Sequence, residues 1–186
     1  RGLAAYTFSK SYSMSGWRLG FAVGGAELIG LVGKMINTCL SCVPPFVQLA
    51  GAAALQMDDA ERDATMAKFR AKVGLLVGEL RRVDGVTVLT PAGTFYVFPY
   101  VQAICDRLGI TSHGLAMYLL EGADDRLGVA CLGGECFGPA GRGFLRFSCA
   151  EPDDRLRRAV AFFAEAVARP DRVRAYLEAN PTYRVG

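Results

Sequence analysis

"TFSKSYSMSGWRLG", residues 7–20, decides how the rest of the chain is read. Lys10 follows the apolar run "LAAYTF" (3–8) and stands among Thr7, Ser9, Ser11, Ser13 and Ser15. Arg18 comes eight positions later, beside Trp17 and close to two glycines. The sequence holds four lysines against seventeen arginines. Lys34, Lys68 and Lys72 fall in helical patterns and read as solvent-facing; Lys10 does not. A lysine amine is a strong nucleophile only when deprotonated, a form favoured by desolvation or by nearby positive charge. Arg18 keeps its charge in any protein setting and can clamp a phosphate through two parallel N–H donors. The hydroxyls of Thr7 and Ser9 can donate to the same phosphate. An amine beside such a cradle suits an aldehyde cofactor that carries a phosphate, pyridoxal phosphate. The competing reading is a merely solvated lysine at a strand end.

Outward from this stretch, "LAAYTF" and "RLGFAVGG" (18–25) read as short buried strands flanking a Ser/Gly-rich loop. Leu28, Leu31, Val32, Met35 and Cys39 recur at helical spacing from Glu27 to about Leu40. Pro44-Pro45 ends that helix, and Pro45 can open a second at its first position. Asp58 or Asp59 is expected to cap a third, whose apolar stripe is Met66, Phe69, Val73, Leu76, Leu80 and Val83. "GVTVLTPAGTFYVFPYV" (85–101) predicts strand, turn, strand. Short helices over 102–108 and 112–121, a strand at "LGVACL" (127–132), a Gly-rich loop and a strand at "GFLRFSCA" (143–150) follow. Asp153, after Pro152, is expected to cap a last helix with Leu156, Val160, Phe163 and Val167 on one face. Two strands do not make a stable sheet by themselves, so residues 1–25 are expected to complete a sheet whose other strands lie outside this chain. The opening at Arg1, directly on an apolar run, likewise reads as a cut inside a larger protein.

The bulk composition is that of a globular chain: 186 residues, 52% hydrophobic and 21% charged. A net charge of +3 is too mild and too scattered to indicate nucleic acid. The late arginines of "DDRLRRAV" and "RPDRVRAY" are interrupted by acids and read as solvated helix faces. No apolar run is long enough to span a membrane, and no signal-peptide layout is present. Six unevenly spaced cysteines do not form a secreted disulfide framework, which leaves the cytoplasm as the default. Cys39-x2-Cys42 and Cys131-x4-Cys136 raise a zinc site, but nothing links them and His113 has no partner motif, so no metal is expected. The glycines of "CLGGECFGPAGRG" (131–143) lack P-loop spacing and read as a turn-rich loop near a substrate pocket.

"FSKSYSMSGWRLG" closely resembles the lysine segment of the class I/II aminotransferases of fold type I, where Ser/Thr-x-Ser-Lys is followed by Gly-x-Arg-Leu-Gly. The resemblance implies that Lys10 is the lysine that binds pyridoxal 5'-phosphate and Arg18 its phosphate arginine. Thr7 stands where serine is commoner, and keeps the hydroxyl. "PAGTFYVFPYV" (91–101) is similar to the family's Pro-x-Gly-x-Phe-Tyr segment. "GVACLGGECFGPAGRGFLRFSCA" (128–150) resembles its final stretch, which places Arg146 on the arginine that holds the substrate α-carboxylate. "FLRFS" also sets that charge between two phenylalanines, where an anionic partner is expected. Leu132-Gly133-Gly134 departs from the family's usual Pro-Gly. The resemblance runs from Leu3 to about Val167.

On this resemblance the fold is α/β, the C-terminal portion of a fold type I pyridoxal-phosphate transferase. Residues 1–25 would be the last strands of the large domain, 26–57 connecting helices, and 58–186 the α+β small domain. The implied activity is transfer of an amino group from an amino acid to a 2-oxo acid, with Lys10 as catalytic base and acid. The family works as a homodimer, and nothing implies nucleic acid or membrane partners. The fragment alone is expected to be inactive, because the pyridine-nitrogen aspartate, the stacking ring and the glycine-rich phosphate loop would lie in the missing half. "INTCLSCVPP" (36–45) carries no basic residue, which weakens one mode of dicarboxylate recognition. A lyase of the same fold, and an aminotransferase-like sensor domain of a transcription regulator, remain open alternatives.

Overall fold

The computed structural model describes residues 2–56 and 59–185. The chain forms two compact units, Arg1–Met66 and Ala67–Gly186.

In the first unit, β1 (Leu3–Thr7) and β2 (Gly20–Gly24) pair antiparallel, from Leu3 opposite Gly24 to Thr7 opposite Gly20. The strands form where expected but are not buried. Every residue of β1 is exposed, and β2 has only Ala22 half-buried. A two-stranded ribbon leaves both faces and both outer edges open. Helix α1 (Ala26–Leu40) also has its predicted stripe, yet buries none of its residues. Helix α2 (Pro45–Gln56) starts at Pro45, where the missing N–H and fixed φ suit a first turn. The core of this unit is small: Phe8, Met14, Leu19 and Val47, with Tyr12, Val43, Ala50 and Ala54 against it.

Helix α3 (Asp59–Leu80) ends in the second unit. The cap expected from Asp58 or Asp59 falls outside the described residues and side chains. Val73, Leu76 and Leu80 of its stripe are buried, Phe69 packs partly buried, and Val83 is buried in the turn beyond the helix. β3 (Tyr96–Val97), β4 (Leu132–Gly133) and β5 (Leu145–Ser148) form an antiparallel sheet in the order β3-β5-β4.

The strand-turn-strand expected over 85–101 is not a hairpin. Thr87 makes a single bridge to Tyr100, after which β3 pairs with β5 instead, because Val97 and Phe147 meet in the core. The strand expected over 127–132 shrinks to its last residue plus Gly133; the segment before it is held by Val129 N–H donating to the Leu119 carbonyl.

Helices α4 (Gln102–Leu108) and α5 (Ser112–Met117) match the pattern, the latter running into a π turn at Tyr118–Gly122. Helix α6 (Asp153–Val167) buries Leu156, Val160, Phe163 and Val167 as the periodicity predicts, and α7 (Pro170–Ala179) follows. Pro152, not Asp153, is the residue before α6, and Asp153 makes no cap. Its carboxylate instead accepts from Lys72 Nζ at 2.6 Å, so Lys72 is tied to α6 rather than simply solvated. Lys72 also donates to the Glu151 carbonyl.

Candidate functional site

The lysine loop is built by its apolar members. Phe8, Met14 and Leu19 turn inward onto Val47 of α2, which leaves the hydroxylated residues between them outside. Phe8 N–H donates to the Leu19 carbonyl at 3.2 Å, and the Phe8 carbonyl accepts from Tyr12 and Met14, folding residues 8–14 into a tight turn. Ser13 and Arg18 both take left-handed φ values of 52°, a conformation uncommon for residues with a side chain. α2 approaches the loop closely at Gly51, where a Cβ would lie 2.4 Å from a Leu19 methyl carbon and that side chain would have to move.

On this loop Thr7 Oγ1 donates to Ser9 Oγ at 2.9 Å and accepts from Ser9 N–H at 3.1 Å. The Ser9 hydroxyl therefore retains its own proton to donate. Arg18 is exposed and donates Nη1 to the Ser15 carbonyl at 2.7 Å, with further N–H groups on its guanidinium. Lys10, next to Ser9, is exposed. Hydroxyl donors, a permanent cation and an amine on one short loop are a donor set that fits a phosphate-bearing aldehyde. An open apolar cleft of about 490 Å³ lies in the same unit, lined in part by Phe21, Ile36, Leu55 and Gly51. Neither Lys10 nor Arg18 lines it.

In the second unit the outer face of β3 and β5 is aromatic around one charge. Alternation buries Val97, Leu145 and Phe147 and turns Tyr96, Phe98, Phe144 and Arg146 to the other side. The Arg146 guanidinium carbon lies 4.2 Å from the Tyr96 ring centroid and 4.8 Å from that of Phe137. The partners that the sequence suggested, Phe144 and Phe147, are not those that hold it. Phe144 stacks on Phe98 at 4.9 Å, and Phe147 packs inward on Phe163. No acidic side chain pairs with Arg146 among the described residues. The two ring faces balance part of its charge.

The loop carrying Phe137 is fixed from beneath, which no sequence pattern indicated. Buried Ser112 donates to Glu135 Oε1 at 2.5 Å and accepts from Gly143 N–H at 2.8 Å, joining the start of this loop to the entry of β5. Gly134 and Gly141 cross so closely that a Cβ on Gly134 would sit 2.0 Å from the Gly141 carbonyl oxygen. The glycines read as a generic turn are the condition for that crossing. In the sequence Phe137 was legible only as a member of the turn-rich loop read near a substrate pocket. Lys10, Thr7, Ser9 and Arg18 share the first unit, and Arg146 stands in the second.

Comparison with known proteins agrees on one family. The family model "Aminotransferase class I and II" matches residues 2–163. An aspartate aminotransferase of Pyrococcus horikoshii is 32% identical over 160 residues, which are 85% of this chain and 39% of that protein. An LL-diaminopimelate aminotransferase of Dehalococcoides mccartyi is 32% identical over 88% of this chain and 39% of its own length. Among solved structures, the aspartate aminotransferase of Rhizobium meliloti superposes with a TM-score of 0.78 at 31% identity, covering 90% of this chain and 42% of that one. The chain thus spans about two fifths of the length of the relatives it matches. Among the described residues no helix is long and apolar enough to cross a membrane.

Proposed function

The chain belongs to the aminotransferase class I and II family, and we infer that it is the C-terminal portion of a pyridoxal-phosphate-dependent aminotransferase of fold type I. In this reading residues 1–25 complete the sheet of the large domain, 26–57 connect, and 58–186 are the small domain. Exposure throughout β1 and along α1 supports it, since such faces are covered in a finished α/β domain. The intact protein moves an amino group from an amino acid to a 2-oxo acid, as a homodimer in the cytoplasm.

Pyridoxal phosphate, when bound, supplies the electron sink that makes the substrate α-proton labile. The chain's own residues do the rest. Thr7, Ser9 and Arg18 hold the phosphate by hydroxyl donors and a fixed cation. Lys10 would hold the cofactor through its amine; when free, that amine would take the proton from the substrate α-carbon as base and deliver it, as acid, to the cofactor C4′. Arg146 grips the α-carboxylate with its two parallel N–H donors, and Tyr96 and Phe137 hold the guanidinium plane so that little ordering is left to binding.

The observation that carries this reading is the folded lysine loop, with the Thr7 and Ser9 hydroxyls paired immediately before Lys10. Borohydride reduction of the full-length protein with its cofactor, followed by peptide mapping, tests it. The pyridoxyl label is expected on Lys10. A label on Lys34, Lys68 or Lys72 overturns the assignment.

A further inference from the structure

The turn that bears Phe137 also bears a thiol for which transamination has no use. Cys136 lies in the 3-10 turn Gly134–Phe137, is exposed, and places Sγ 4.0 Å from His113 Nδ1. His113 is the one histidine of the sequence, and its ring is held in place. The His113 backbone N–H donates to Glu135 Oε1 at 3.3 Å, and Tyr183 packs edge-on against the imidazole with centroids 5.7 Å apart. An imidazole fixed beside a thiol is the arrangement that yields a nucleophilic thiolate.

The other five cysteines differ. Cys105 and Cys149 are buried and Cys131 is half-buried; burial pushes the thiols of Cys105 and Cys131 up to about 12 and raises that of Cys149. Cys39 and Cys42 are exposed in and after α1, in the unit whose sequence contains no histidine.

We propose that the Cys136–His113 pair is a thiol-modification site that exchanges with low-molecular-weight disulfides. The Cys136 S–H proton passes to His113 Nδ1, and the thiolate attacks one sulfur of the small disulfide. A protein–small-molecule S–S bond forms as the original S–S bond breaks. The departing thiolate takes the proton back from the imidazolium, so a thiol and a disulfide become a mixed disulfide and a small thiol, with no other oxidant. The adduct has a consequence for the neighbouring residue. Phe137 is the next residue of the same turn, with its ring 4.8 Å from the Arg146 guanidinium, so an adduct on Sγ is seated beside that contact. In this proposal modification changes the environment of Phe137 and, through it, of Arg146. The thiol's reactivity stands independently of the proposed function; only the meaning of the change at Arg146 for carboxylate binding rests on it.

The test uses the whole chain, incubated with oxidised glutathione and sampled over time for peptide mapping by mass spectrometry. Cys136 is expected to acquire the adduct about tenfold or more faster than Cys39 and Cys42, as a base-activated thiol does. His113→Gln is expected to bring Cys136 down to the rate of those two internal references, and His113→Phe, which keeps a ring against Tyr183, to do the same. Adducts on Cys105 and Cys149 would reveal an unfolded variant, and the wild-type ratio then decides. Equal rates in the wild type, or a Cys136 rate untouched in both folded variants, overturn the proposal. The Arg146 Nε–Hε resonance, shifted by the ring currents of Tyr96 and Phe137, is expected to move on modification; a fixed resonance overturns the coupling to Arg146 while leaving the aminotransferase reading intact.

Discussion

The two units carry the same kind of sequence pattern and put it to different use. In the unit from Ala67 to Gly186 the stripes of α3 and α6 close over Tyr118, Leu145 and Phe147 in one continuous core. In the unit from Arg1 to Met66 an equally regular stripe on α1 is left largely open: Leu31 is 53% exposed and Met35 66%, and only Val32 of the stripe is half-buried. Periodicity therefore specifies a face, and only the covering of that face turns it into stability. The lysine loop escapes this limitation because Phe8, Met14 and Leu19 find Val47 within their own unit.

Paired core substitutions are the strongest way to break this contrast. Leu80→Ala, at a fully buried position, is expected to cost about 2–5 kcal/mol in chemical denaturation, whereas Leu31→Ala is expected to stay within about 0.5 kcal/mol. Comparable losses at both positions would mean that α1 is covered in solution.

In the proposed function the two arginines separate the units. In the full-length protein Arg146→Ala is expected to lower kcat/KM for amino acids about tenfold to a hundredfold or more, the loss of a charge-assisted contact worth about 1.5–3 kcal/mol, with the cofactor absorbance retained. Arg18→Ala is expected to lose cofactor on dialysis instead. An Arg146 variant that sheds cofactor would assign that residue to the phosphate or the fold.

Glycine substitutions give a smaller and more graded pair. Gly134→Ala drives a Cβ into the Gly141 carbonyl and is expected to cost about 1–3 kcal/mol, since backbone has to move. Gly51→Ala meets the end of the Leu19 side chain, which a rotamer change can relieve, and is expected to cost less. Thermal unfolding of the two variants side by side checks the order.

The weakest effect concerns pH. The hydrogen bond from Lys72, and then its charge, hold the Asp153 carboxyl below its ordinary value of 3.8. A lowered folded-state value means that the contribution is complete above 3.8 and is lost as the pH falls through the folded value. Asp153→Asn is expected to flatten the stability of the second unit across that acid range, lowering it slightly at neutral pH, where the contribution is present, and leaving the acid end unchanged. An identical acid limb in both proteins would show that the pair is solvated away.

The sequence alone determined the helices, the lysine loop and the family. Each rests on local information: spacing of apolar residues, proline at a first turn, and an ordered run of lysine, hydroxyls and arginine within fourteen positions. Strand pairing over 85–101 was not determined there, because "VTVLT" and "YVFPYV" suit a hairpin locally while β3 finds a better-packed partner in β5, some fifty residues on. The rings that hold Arg146, the Ser112–Glu135–Gly143 link and the Cys136–His113 contact were decided by tertiary structure for the same reason. Each includes a pair twenty or more positions apart, such as Tyr96–Arg146, Ser112–Glu135 and His113–Cys136, and a one-dimensional pattern holds no distance between them; packing of the core brings them to within a few ångströms.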